Sequence, residues 1–156
     1  MFATLKRSVT VQAMVAAVLM SMIGSDARAD EPIDVARDCV RAVRAIASNT
    51  GGDIGDIRSR AIRGIRALDD DDAPDREIVS AGNDGRQRIN TRARAGVQRV
   101  RTVVDACVAT LADLDAPRWM VARVIDTGAN SAQRINMQRD RATTTVARAV
   151  RAAIAD

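Results

Sequence analysis

Residues 86–114 read RQRINTRARAGVQRVRTVVDACVATLADL, and small or apolar side chains recur there at alternating steps of four and three residues. The positions that follow this spacing are Ile89, Ala93, Gly96, Val100, Val103, Cys107, Thr110 and Leu114. Such a repeat forms a continuous stripe, here called the seam, along one side of an α-helix, and that side is buried against partner helices. The stretch therefore predicts a long amphipathic helix that packs lengthwise.

The same spacing runs through one segment before this helix and one segment after it. The first seam comprises Ile33, Ala36, Val40, Val43, Ala47, Thr50, Ile54, Ile57, Ala61, Gly64 and Leu68. The last comprises Val121, Ile125, Gly128, Ala132, Ile135, Arg139, Ala142, Val146, Ala149 and Ala153, in which Arg139 is the exception to the small or apolar pattern. A sustained 3.5-residue period predicts helices that pack along their whole length with a left-handed supercoil.

An Asp-x-Pro sequence precedes each of the three segments, at residues 30–32, 72–74 and 115–117. Aspartate is a favourable N-cap, and proline is tolerated in the first turn of a helix, so each sequence predicts a helix start. We predict helices at about 33–69, 75–114 and 117–155. The fold class is then all-α, an elongated antiparallel three-helix (up-down-up) bundle that resembles a coiled coil.

Glycines interrupt this pattern at Gly51–Gly52 and near Gly82–Gly85. Each glycine inside a helix costs about 1 kcal/mol relative to alanine, which predicts a kink or a short break at both places. A true turn at Gly51–Gly52 would divide the first helix into an antiparallel pair. The seam passes through this point without a change of phase, which favours the kink.

The two cysteines of the chain, Cys39 and Cys107, fall on the first and second predicted helices. If these helices form a hairpin that turns at residues 69–72, facing residues have numbers that sum to about 143, and the cysteine numbers sum to 146. The cysteines would then lie within one helical turn of each other, and we predict a disulfide. The alternative is two buried free thiols.

Residues 1–29 have the pattern of a cleaved signal peptide. Lys6 and Arg7 precede an apolar run over residues 13–23, and Ala27-Arg28-Ala29 offers a cleavage site with small side chains. The alternative is an uncleaved anchor, but the run has about half of the ~20 residues that a membrane span needs. We therefore predict export to the periplasm or the extracellular space, with residues 30–156 as a single helical domain.

The predicted mature chain contains 21 arginines and 19 carboxylates after subtraction of three basic residues and one acidic residue in the signal. Acidic and basic residues are interspersed along the sequence, whereas a nucleic-acid binder usually has a concentrated basic face. The absence of His and Tyr, and of Lys after residue 6, leaves few groups for acid–base catalysis or metal binding. We predict a protein that is not an enzyme, with no metal, no cofactor and no nucleic-acid partner.

A Gln-Arg-Ile-Asn tetrad occurs twice, and its polar members are the candidate binding residues Gln87, Arg88, Asn90, Gln133, Arg134 and Asn136. Because Ile89 and Ile135 lie on the seams, these polar side chains border the helix contacts. They could offer amide and guanidinium donors to a ligand. The alternative is that they only form polar contacts at the edge of the helix packing.

Two charged clusters are also candidates for binding. Arg37, Arg41 and Arg44 share one side of the first helix, a pattern that suits phosphate or carboxylate groups. Salt bridges to nearby aspartates are the alternative. The acidic run of residues 69–72 lacks the ligand spacing of a calcium-binding loop and is more typical of a solvated turn.

Three functions remain open from the sequence. The first is an exported, non-catalytic structural or protein-interaction bundle, with an unknown protein partner. The second is a binder of anionic surfaces or polymers, such as lipid headgroups or envelope polysaccharide, through its arginine-rich helix sides. The third is a self-associating coiled coil.

Overall fold

Three long α-helices account for most of residues 31–155, which are the residues described by the structure, a computed structural model. The helices are α1 at Pro32–Asp70, α2 at Asp75–Asp113 and α3 at Arg118–Ala153. Each helix contacts both of the others, and the short connections make the order up-down-up. The fold is thus the predicted all-α three-helix bundle. The signal-peptide prediction for residues 1–29 lies outside the described residues.

Both connections between helices have the same backbone geometry. Asp72 and Asp115 adopt positive φ angles of 52° and 49°, in the left-handed region that aspartate tolerates better than most residues. The following residue donates its N–H back across the helix end, from Ala73 to the carbonyl of Leu68 at 2.9 Å. In the second connection, the N–H of Ala116 donates to the carbonyl of Leu111, also at 2.9 Å. This arrangement is a Schellman motif, which satisfies the last free carbonyls of a helix.

The predicted role of aspartate in the Asp-Ala-Pro sequences was therefore wrong. Asp72 and Asp115 terminate the preceding helix instead of capping the next one. Pro74 and Pro117 occupy the N-cap positions themselves, and no side-chain hydrogen bond caps either helix. Proline is favourable at this position because the aspartate two residues earlier, which has a positive φ angle, has already ended the previous helix. Proline itself cannot continue a helix.

Cys39 and Cys107 form the predicted disulfide, with their Cα atoms 6.0 Å apart. The register between α1 and α2 is constant along the pair. The facing pairs are Cys39–Cys107, Thr50–Gly96 and Ala61–Gly85, and the numbers of each pair sum to 146. The hairpin is therefore centred on residue 73, between one and two residues beyond the turn centre assumed from the sequence.

No break occurs at the glycines: α1 runs through Gly51–Gly52 and α2 through Gly82–Gly85 as continuous helix. The alternative of a break or a turn was therefore wrong, whereas the favoured kink stays a prediction. An added Cβ at Gly51, Gly82 or Gly85 would meet a side chain of another helix. A methyl group added at Gly85 would lie 2.6 Å from the Cβ of Ala61. One added at Gly96 would overlap the side chain of Thr50, which is buried.

The buried side chains follow the predicted seams in the middle of each helix and depart from them near the ends. Leu111 is fully buried, whereas the seam residue Leu114 is 37% exposed. At the start of α3, Val124 is buried in place of Ile125. An α-helix with 3.6 residues per turn drifts by ~20° per heptad from a 3.5-residue repeat, so about five heptads shift the buried face by one residue.

Candidate anion-binding face

A groove lies between α1 and α3 at the end of the bundle that holds the disulfide. Its volume is about 350 Å³. Ala36, Val40 and Met120 are buried and form an apolar floor. Four arginines and two exposed apolar side chains line the rest, namely Arg37, Arg41, Arg44, Arg123, Ile33 and Trp119. The groove thus combines an apolar floor with a cationic rim.

Arg37, Arg41 and Arg44, which were predicted to share one side of α1, all line this groove. Two of them form ion pairs and the third does not. Arg37 contacts Asp34 at 2.6 Å and Arg41 contacts Asp38 at 3.2 Å, in each case between exposed side chains three residues apart. Exposed pairs of this kind contribute about 0–1 kcal/mol and exchange readily with other partners. Among the described residues, no carboxylate lies within 4.0 Å of the guanidinium of Arg44 or Arg123.

The cationic rim continues along α1 and α3 beyond the groove. Eighteen residues make five full turns of an α-helix, so residues with this spacing share one side. Arg58 therefore lies on the side of Val40, and Arg141 on the side of Arg123. Arg134 and Arg148 are each seven residues from Arg141, which places them within ~20° of it. Farther along the bundle, Gln138 packs against Gly51, so these sides of α3 and α1 still face each other there.

We define the arginine face as these eight residues, Arg37, Arg41, Arg44, Arg58, Arg123, Arg134, Arg141 and Arg148. It extends over about 25 residues of α3, or roughly 38 Å at 1.5 Å per residue. Asp34 and Asp38 pair with arginines at one end of the face, and Asp69 lies on the same side of α1 at the other end. On α3, Asp126 lies within ~20° of Trp119 and Met137. Arginines therefore outnumber carboxylates on this face.

Two further ion pairs lie outside the arginine face. Asp53 of α1 forms an ion pair with Arg92 of α2, across the α1–α2 contact. Asp140 pairs with Arg139 at 2.8 Å. Helix formation places residues 7, 11 and 18 positions apart on one side, so charges that are interspersed along the sequence can be unevenly distributed on the folded surface.

Three exposed apolar side chains belong to the same face. Trp119 is 57% exposed, Met137 is 45% exposed and Ile33 is 43% exposed. Met137 lies 18 residues from Trp119 and therefore on the same side of α3. Apolar side chains interleaved with arginines on an exposed surface are typical of proteins that lie at a membrane–water interface.

The two Gln-Arg-Ile-Asn tetrads do not form a common site. Ile89 and Ile135 are both fully buried in the same apolar cluster, as the seams predict. The Gln and Arg side chains of both tetrads are exposed and the Asn side chains half-buried, a set that comprises Gln87, Arg88, Asn90, Gln133, Arg134 and Asn136.

The register between α2 and α3 separates the tetrads along the bundle. Facing residues of these helices have numbers that sum to 231 or 232, as in the pair Gly85–Val146. Residues 142–143 therefore face Ile89, and Ile135 lies about two turns away, at roughly 10 Å. Of the six candidate residues, only Arg134 belongs to the arginine face.

We expect the tetrad glutamines to contribute little to folding. The double substitution Gln87→Ala and Gln133→Ala should change the free energy of unfolding by no more than about 0.5 kcal/mol, because both side chains are exposed and border the packing without entering it. Urea unfolding followed by circular dichroism measures this value. A loss above about 1 kcal/mol would show that the amides form a structural contact.

The described residues give no indication of a metal site or a membrane span. Cysteines and carboxylates within residues 31–155 form no group of three that could hold a metal ion. In this part of the chain, no helix contains a stretch long and apolar enough to cross a bilayer.

Comparison with known proteins gives no family: no protein-family model, curated protein or solved structure matches the chain.

Proposed function

We propose that this protein is an exported, non-catalytic binding protein that attaches to anionic lipid surfaces through the arginine face. The observation that carries the proposal is the grouping of eight arginines on one side of the bundle, where they outnumber the carboxylates. An arginine near an anionic membrane contributes about 1 kcal/mol to attachment. The contributions of several arginines on one face to the free energy of attachment therefore add up.

The apolar members of the face favour a lipid surface over a soluble polyanion. Trp119, Met137 and Ile33 are exposed to water, and burying apolar area at an interface is favourable by about 25 cal/mol per Å². Tryptophan also suits the headgroup level, because its ring is apolar and its N–H can remain hydrated. A polyanion in solution would use the arginines and leave these apolar side chains uncovered.

The proposal makes a prediction for charge variants with the same net charge. The face variant carries Arg58→Gln, Arg134→Gln, Arg141→Gln and Arg148→Gln. The control carries Arg60→Gln, Arg94→Gln, Arg99→Gln and Arg101→Gln, four exposed arginines outside the arginine face. Glutamine has a helix propensity close to that of arginine, so both variants should fold normally.

Co-sedimentation with vesicles of phosphatidylglycerol and phosphatidylcholine at low salt measures attachment. We expect the face variant to bind about a hundredfold more weakly than the unmodified protein, and the control to lose less than threefold, since each arginine at the surface contributes up to about 1 kcal/mol. Salt should weaken the attachment. Neutral phosphatidylcholine vesicles measure attachment that does not depend on charge.

Three results would overturn the proposal. The first is no charge-dependent attachment to anionic vesicles at low salt. The second is an equal loss in the face variant and the control. The third is salt-sensitive retention on an immobilised polyanion without attachment to vesicles, which would assign the arginine face to a polymer.

A further inference from the structure

From the groove at the disulfide end we infer a site for one molecule of a single-chain anionic lipid. This inference rests on the proposed function and goes further by placing one ligand in a defined position. The charged headgroup is held between Arg44 of α1 and Arg123 of α3, and the alkyl chain lies on the floor that Ala36, Val40 and Met120 form.

The electrostatics of the groove favour a discrete anion. Arg44 of α1 and Arg123 of α3 both line the groove, and no described carboxylate lies within 4.0 Å of either guanidinium. Guanidiniums without a carboxylate partner can donate charge-assisted hydrogen bonds to a phosphate or carboxylate in the groove.

The shape of the groove favours an attached chain. Its volume of about 350 Å³ lies at the lower end of the range for small-molecule sites, which is about 300–1,000 Å³. A bare anion would leave the apolar floor in contact with water. Trp119 stands at the edge of this floor with 57% of its surface exposed, and a bound chain would cover part of its ring.

The chain supplies its own reporter for binding. Trp119 is the only tryptophan in the sequence, and there is no tyrosine. The intrinsic fluorescence of the protein therefore arises from the edge of the groove. Covering the ring with an alkyl chain should move the emission to shorter wavelength.

We would titrate the protein with hexyl, octyl, decyl and dodecyl phosphate, each below its micelle concentration. The expected result is a saturable blue shift with one ligand per protein. Affinity should rise about threefold to fourfold per added methylene while the floor is being covered, which corresponds to the transfer free energy of a buried CH₂. Inorganic phosphate should give no shift, and octanol and decanol should bind at least tenfold more weakly than the matching phosphates.

The matched variants locate the site within the arginine face. The double variant Arg44→Gln and Arg123→Gln should weaken decyl phosphate binding at least tenfold. The face variant at residues 58, 134, 141 and 148 should bind decyl phosphate within threefold of the unmodified protein. In Trp119→Phe the fluorescence signal disappears and calorimetry should still detect binding.

The possible failures are distinguishable from failure of the proposed function. A shift that does not saturate, an affinity that does not depend on chain length, or equal binding by the Arg44/Arg123 variant would overturn the groove site. Loss of the groove site with intact attachment to anionic vesicles leaves the surface function in place. Binding of decyl phosphate without attachment to vesicles supports the groove and removes the surface function.

Discussion

Removing the Cys39–Cys107 disulfide should lower the stability of the bundle by about 4 kcal/mol. The bond closes a span of 68 residues, and a cross-link over a loop of this length restricts the unfolded chain by about that free energy in the chain-entropy treatment. For a bundle of this size, the midpoint of thermal unfolding should fall by roughly 15 °C.

The double variant Cys39→Ala and Cys107→Ala tests this expectation. Thermal unfolding followed by circular dichroism gives the shift, and a reducing agent provides the control. The reducing agent should lower the midpoint of the unmodified protein toward that of the variant and leave the variant unchanged. Two free thiols in the oxidised protein, found by mass spectrometry under non-reducing conditions, would contradict the disulfide itself.

Substitution of glycine by alanine should destabilise the bundle where the glycine faces another helix and stabilise it where the glycine faces open space. Gly85→Ala together with Gly96→Ala should destabilise the bundle by about 4 kcal/mol, because overpacking at one site costs typically 1–3 kcal/mol. The methyl group at Gly85 would meet the Cβ of Ala61, which has no rotamer to change. At Gly96 it would meet the branched side chain of Thr50, which is 2% exposed. The helices α1 and α2 must then move apart.

The matched control is Gly52→Ala together with Gly64→Ala, two helix positions where an added Cβ meets nothing within 4 Å. Alanine has the better helix propensity and restricts the unfolded chain, so this variant should be more stable by roughly 1–2 kcal/mol. Urea unfolding of the two double variants measures both effects. If both pairs shifted stability in the same direction, the close approach of α1 and α2 would be contradicted.

The fold could be predicted from the sequence because its main determinants are local. The seams gave the helices, the proline sequences gave their ends, and the spacing of Cys39 and Cys107 gave the hairpin. The glycines were misread because a single sequence reports their backbone propensity and not the neighbour that requires a missing Cβ. Gly85 of α2 leaves room for the side chain of Ala61 of α1. This contact joins two different helices, so the sequence around Gly85 does not reveal it.

The candidate face could be predicted only in part. Arg37, Arg41 and Arg44 were recognised because they lie on one side of a single helix. Arg123, Arg134, Arg141 and Arg148 join them only once α3 packs beside α1, and the sequence does not specify which side of α3 faces α1. The exposure of Trp119 at the groove could not be predicted, since it follows from the packing of helix ends.

The position of the disulfide also governs how the bundle responds to mechanical force. When the chain is pulled from the two ends of the described region, the tension passes through the Cys39–Cys107 bond, and the 68-residue span between the cysteines is not loaded. The length that can be extended is then shorter by about 230 Å at roughly 3.4 Å per residue. While the bond holds, only residues 31–39 and 107–155 carry the tension. Reduction of the bond would release the full length.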